Sequence, residues 1–229
     1  MATTRHLIVF GAAIALAALV FAYPTPLPFE PLESFFECQH KTLAQRGVAK
    51  ECLGKDFSDE AMNAAMELHM DSRCPLCKHV CSKQDVILRC LGESWDVVAL
   101  FSNKSVEMVP FVRNLVEESL HNLCDNDAAL LSVFLDEENG QCLTSAWRTC
   151  QSRLEGAEDF NLIAICDFTD IPELDPFSKQ FICQKYVDFF ECGEEETGRC
   201  SEEMKTSVTQ VMSIWRNQTS CSKYFHTKE

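Results

Sequence analysis

The sequence predicts an all-α, disulfide-stapled bundle of about eight to ten short helices, and three observations carry that expectation. Fourteen cysteines stand in a chain with only 8 glycines and 8 prolines. Glycine and proline fall between long runs that lack both, such as residues 111–139, 141–155 and 201–229, lengths that suit helices better than strands. Within those runs the apolar residues return at helical spacing. A composition of 46% hydrophobic and 24% charged residues is that of an ordinary folded chain, and 229 residues are enough for one domain, or two small ones, around a real core.

Taken in order, residues 1–22 read as an export signal. Arg5 stands beside His6, an apolar run fills residues 7–21, and Val20 and Ala22 occupy the small-residue positions before a cut after Ala22. Fifteen apolar residues are short for a membrane span. Residues 23–31 hold four of the eight prolines and are expected to form an extended, polyproline-like arm. The helical cysteine-rich domain then covers residues 32–229, and a seam between halves would fall near 92–109 or 171–176. Ser58 and Asp127 suit helix N-caps. Pro110 suits the first turn of a helix whose stripe is Val112, Leu115, Val116, Leu120 and Leu123. The run 136–140 lacks the glycine position of a calcium loop and reads as a helix-ending turn. Leu143, Ala146, Trp147, Cys150 and Leu154 form the next stripe. Residues 160–168 are read as a short helix, because a lone strand would have no partner. Phe177, Phe181, Ile182, Phe189 and Phe190 make a broad apolar face after Pro176, and Met204, Val208, Val211, Met212 and Trp215 close the chain with a final stripe.

The cysteines are Cys38, Cys52, Cys74, Cys77, Cys81, Cys90, Cys124, Cys142, Cys150, Cys166, Cys183, Cys192, Cys200 and Cys221. An even number in an exported chain favours up to seven disulfides, with connectivity left open by spacing alone. Locally, Cys192 and Cys200 flank Gly193 and Gly198 and are expected to staple the turn between two helices. Cys74, Cys77 and Cys81 are spaced i, i+3, i+7, which would place them on one helix face and suit three bridges to different neighbours. Their CxxC also admits a redox or zinc reading. Redox chemistry would want a βαβ setting and zinc a second ligand pair, so structural disulfides are the favoured reading. The equal steps from Cys142 to Cys150 and from Cys192 to Cys200 hint at a duplicated helical hairpin.

Catalytic patterns are missing where chemistry would need them. The run from Gly92 to Asp96 lacks the last glycine of a nucleophile elbow, no HExxH places two histidines on one metal, and no phosphate-cradling loop occurs. The reading is therefore of a non-enzyme without cofactor or metal. A formal charge of −15, or −16 once Arg5 leaves with the signal, repels phosphate backbones and anionic membranes, so no nucleic-acid partner is expected, and no membrane attachment after signal removal. Residues 222–229 are polar, without a lipid-anchor tail or an endoplasmic-reticulum retention signal, so secretion is the expected destination. Two sequons, at Asn103 and Asn217, are expected to be exposed N-glycosylation sites.

The stretch 119–124 with Cys124, the apolar run 129–135, Gly140-Gln-Cys142 and Cys150 resembles the haemolymph glycoproteins of ~27 kDa found in arthropods. Cys183, Cys192, Cys200 and Cys221 around a closing helix that ends in Trp215 and Arg216 are similar to that family's last segment. The likeness covers roughly Cys74 to Cys221, and secreted cysteine-rich domains of nematodes share spacing of the same kind. What the resemblance implies is a secreted, cysteine-rich, glycosylated body-fluid protein, with no catalytic residue to carry over. Two roles are then expected in the extracellular space: binding or protein interaction without catalysis, or carriage of a small apolar ligand such as a lipid, which 7 methionines and a phenylalanine-rich scaffold would accommodate.

Overall fold

The computed structural model describes residues 33–150, 153, 165–171, 175 and 177–224, apart from the side chain of Glu137. The expected export signal, the proline-rich arm, Leu154 and most of the run 160–168 lie outside the described residues. Among the described residues the fold is all-helical and seven disulfides join its parts. Eight helices follow one another: α1 (Glu33–Gly54), α2 (Asp59–Leu68), α3 (Pro75–Ser82), α4 (Gln84–Val98), α5 (Asn103–Leu135), α6 (Glu137–Cys150), α7 (Lys179–Thr197) and α8 (Glu202–Gln218), with a 3-10 turn at Ser222–Tyr224. None is long and apolar enough to cross a membrane.

Helix starts follow their caps. Ser58 accepts a hydrogen bond from the Ala61 amide, Ser102 from Ser105, Ser178 from Phe181 and Ser201 from Met204, each satisfying an otherwise orphaned donor of a first turn. Ser102 moves the start of α5 seven residues ahead of Pro110, so that proline sits inside the helix rather than in its first turn. The cost is one missing helical hydrogen bond to the Val106 carbonyl, and the packing of Met108, Val109 and Phe111 into the core holds the helix through it.

Helix α5 is the spine of the molecule. Its buried residues enter the core around Ile182, Tyr186 and Trp215, the core around Met62, Val80 and Ile87, and the core around Phe35, Phe168 and Phe177. Residues before residue 125 already reach all three, and a break at residues 125–128 turns Ala128 and Leu131 into the second of them as well. Asn126, Asp127 and Ala128 all have φ of 50° to 60°, a left-handed turn that re-aims the helix. Asp127 therefore marks a real break but is no N-cap: its own backbone is left-handed, and its carboxylate reaches Lys78 at 3.3 Å instead. Helix α6 follows α5 after a single residue, Asp136, whose carboxylate accepts from the amides of Glu138 and Asn139 at 3.2 Å each. The run 136–140 thus ends one helix and begins the next.

Helices α1 and α4 run antiparallel, joined by Cys52–Cys90 at one end and by the Ser94 hydroxyl donating to the Gln45 carbonyl further along. Residues 165–168 are not helical, contrary to the sequence expectation. They are laid across the N-terminus of α5 instead. The Ile165 carbonyl accepts from Ser102 and Ser105, and the Asp167 carboxylate accepts from the amides of Asn103 and Lys104 at 3.1 Å, an anion on the positive end of a helix. Cys166 bridges to Cys38 of α1 at the same place, and Phe35, Phe168, Phe177 and Phe181 stack edge to face at 5.4 to 5.6 Å.

Candidate functional site

Helices α5 to α8 surround an apolar pocket with an enclosed volume of about 70 Å³ and an opening to solvent. Both halves of α5 contribute, Ser119, Asn122 and Leu123 before the break and Leu130, Leu131 and Phe134 after it. Leu143 and Trp147 come from α6, Tyr186, Phe189, Phe190 and Gly193 from α7, and Val208, Val211, Ile214 and Trp215 from α8. The stripes legible in the sequence are what turn these residues inward, since positions three and four apart share one helix face.

Three disulfides lock the walls against one another. Cys142–Cys200 and Cys150–Cys192 tie α6 to α7 and to the turn before α8, and Cys183–Cys221 ties α7 to the chain beyond α8. The end of α8 is held to α5 as well, because the Ser220 amide and hydroxyl both donate to the Glu118 carboxylate at 2.8 Å. Aromatic rings pave one wall: Trp215 lies 5.1 Å from both Tyr186 and Phe190, and Trp147 lies 6.2 Å from Phe189, centroid to centroid. Among the described residues the lining has no carboxylate, ammonium, guanidinium or imidazole group. Burial pushes the Tyr186 phenol up to about 12, so this group also stays neutral at physiological pH.

Two features of the lining stand out against ordinary core packing. Ser119 is 4% exposed and its hydroxyl has no hydrogen-bond partner in the structure. Such a group costs about 1–3 kcal/mol when left unpaired. Gly193 is buried inside α7, yet a Cβ built on it would meet nothing within 4 Å. A helical glycine costs roughly 1 kcal/mol relative to alanine, and here no neighbouring atom forbids the alanine. No sequence signal pointed to either residue, because a pocket is space between elements and its lining reads as core in a one-dimensional pattern.

The site residues expected from the sequence are placed as follows. All fourteen cysteines are paired. The expected Cys192–Cys200 bridge is replaced by two crossing to α6, since Cys192 lies on α7 before its last turn and faces Cys150, whereas Cys200 in the following turn faces Cys142. Cys74, Cys77 and Cys81 do not reach three different neighbours either. Cys74 caps α3 with φ −138° and ψ 89°, off the helix face, and bonds to Cys77, leaving only Cys81 to reach Cys124 on α5. Asn103 and Asn217 are both exposed. The hydroxyls that complete their sequons are not: Ser105 is 0% and Thr219 3% exposed, donating to the carbonyls of Ile165 and Trp215.

His79 is buried against Phe57 with its Nε2 2.8 Å from the Asp56 carbonyl, a satisfied structural role. No cluster of three or more metal-ligating side chains occurs among the described residues. The arrangement that remains is therefore an apolar pocket with disulfide-tied walls and, among its described lining residues, no charged side chain. Comparison of the chain with protein-family models, with curated proteins and with solved structures finds no match.

Proposed function

We propose that this is a secreted, disulfide-locked binding protein of an extracellular fluid, acting without catalysis, and that the pocket among α5 to α8 is its binding site. The carrying observation is a lining of sixteen described residues from four helices, none of them with a charged side chain, in a protein whose formal charge is −15. Seven disulfides with no free thiol suit an oxidising compartment. The resemblance to arthropod haemolymph glycoproteins supports the same setting. An enclosed volume of about 70 Å³ lies well below the roughly 300 Å³ of sites that swallow drug-sized molecules, which favours a compact ligand over a long lipid chain.

Native mass spectrometry of protein secreted by a eukaryotic cell, compared with its denatured and unreduced mass, tests this reading. A small adduct lost on denaturation is the expected result. A bare chain that also leaves the emission of Trp147 and Trp215 unchanged when challenged with small apolar compounds overturns it.

A further inference from the structure

The seven bridges divide by what they join. Six connect cysteines 38 to 128 residues apart, and each ties together two separate parts of the fold. Cys74–Cys77 spans three residues and closes a ring within the first turn of α3, joining no two elements. We propose that this bridge is a reversible thiol–disulfide exchange site, which takes a small or flexible thiol at Cys74 and releases Cys77.

Whatever free energy a bridge adds to a fold, the fold adds to the bridge. Distant cysteines gain most, because folding brings them together, whereas Cys74 and Cys77 are neighbours in the unfolded chain as well. Folding therefore protects this bridge least against reduction. Helix α3 also has other anchors when the ring opens. Cys77 and Val80 lie in the core around Met62 and Ile87, the His79 Nε2 is 2.8 Å from the Asp56 carbonyl, and Cys81–Cys124 ties the helix to α5.

The two sulfurs take different roles. Cys77 is 1% exposed and Cys74 is partly exposed at the helix cap, so an incoming thiol reaches the bridge from the Cys74 side. The Cys77 amide donates to the Cys74 Sγ at 3.2 Å, and such a donor at a helix N-terminus favours a thiolate there. In the forward step a thiolate attacks the Cys74 Sγ, the S–S bond breaks, and its electron pair leaves on the Cys77 Sγ, which takes up a proton. A second thiolate attacks the incoming sulfur and expels Cys74 as a thiolate, which is protonated in turn. Two thiols are thereby oxidised to one disulfide while the bridge is reduced to two thiols, and a small disulfide restores it by the reverse steps. This chemistry needs a reachable sulfur at a helix start and no strand on either side.

The test equilibrates the full secreted chain, without denaturant, in mixtures of reduced and oxidised glutathione, followed by alkylation and peptide mass mapping. Cys74 and Cys77 are expected to carry the label first. Their ratio of reduced to oxidised form should exceed that of every other bridge at least about tenfold, with helical circular dichroism unchanged. Mixed glutathione disulfide is expected on Cys74 and not on Cys77. In Cys77→Ser the glutathione on Cys74 has no neighbour to expel it and should persist, whereas in Cys74→Ser the buried Cys77 should stay bare. The wild-type map decides the matter where a variant fails to fold. Another bridge opening first, all seven opening together with loss of helicity, or capping of Cys77 in preference to Cys74 overturns the proposal. So does a Cys74–Cys77 bridge that survives reduced glutathione alone.

Discussion

Removing the Cys38–Cys166 bridge tests whether loop closure sets the stability of this fold. These cysteines are 128 residues apart, but the other bridges shorten the path between them. From Cys38 the chain runs to Cys52, crosses to Cys90, returns to Cys81, crosses to Cys124 and continues to Cys166, a loop of roughly 65 residues in the chain-entropy treatment. Closing it is worth about 4 kcal/mol, against about 2 kcal/mol for the small ring of Cys74–Cys77. Cys38→Ala with Cys166→Ala should therefore cost at least about 2 kcal/mol more than Cys74→Ser with Cys77→Ala, where the serine retains an acceptor for the Cys77 amide. The assay is equilibrium unfolding in guanidinium chloride. With m of roughly 3–4 kcal/mol/M, the first variant's midpoint should fall by about 1 M and the second by about half as much. Equal midpoints, or a larger fall for the short ring, would refute the reasoning and place the value of Cys74–Cys77 in local geometry at the start of α3.

Further expectations concern single positions and pH. Gly193→Ala should raise stability by about 1 kcal/mol, read as an increased unfolding midpoint, because its Cβ enters open space in a helix; a decrease would mean that the space is not there. Lys104 and Asp175 form an ion pair at 2.6 Å with side chains only 10% and 11% exposed, so Asp175→Asn should cost about 1–3 kcal/mol by removing the nearest counter-charge of a largely buried ammonium, which keeps the Phe177 ring at 5.4 Å. Removing exposed Glu93 beside Arg89 should change the unfolding free energy by less than about 0.5 kcal/mol. Lysine partners hold the carboxyls of Glu37, Asp56 and Glu107 below their ordinary values, and Arg73 does the same for Glu203. Their stabilisation is present above the unfolded-state pKa and lost as pH falls through the lower folded value. Melting temperature should thus be flat above about pH 5 and decline below it, more shallowly in high salt; a decline beginning above pH 6 would contradict this. Finally, with Ser105 and Thr219 buried, any sugar on Asn103 or Asn217 must be attached before folding, so glycosyl transfer to refolded, unglycosylated protein should fail and transfer to the reduced, unfolded chain should succeed.

The sequence by itself determined the helices whose apolar residues recur on one face. Leu115, Leu120 and Leu123 of α5 and Met204, Val208, Met212 and Trp215 of α8 are buried as their spacing requires. It determined the Ser58 cap, a local hydrogen bond between residues three apart. Helix α1 was not legible as a stripe, because Phe36, Leu43 and Val48 remain exposed and blur the pattern made by Phe35, Cys38, Ala49 and Leu53. The equal steps between Cys142 and Cys150 and between Cys192 and Cys200 were visible, and their meaning was not. They form the two rungs joining α6 to an antiparallel neighbour, where two parallel bridges require equal spacing on both sides.

Only the tertiary structure decided the disulfide pairing, the path of residues 165–168 over the start of α5, and the left-handed turn at 126–128. Each depends on which distant groups meet, and spacing along the chain does not encode that. The pocket belongs to the same class. Its lining residues carry the same apolar signal as a filled core, and what distinguishes them is missing volume beside Gly193 and a missing partner at Ser119, absences that exist only once four helices have been brought together.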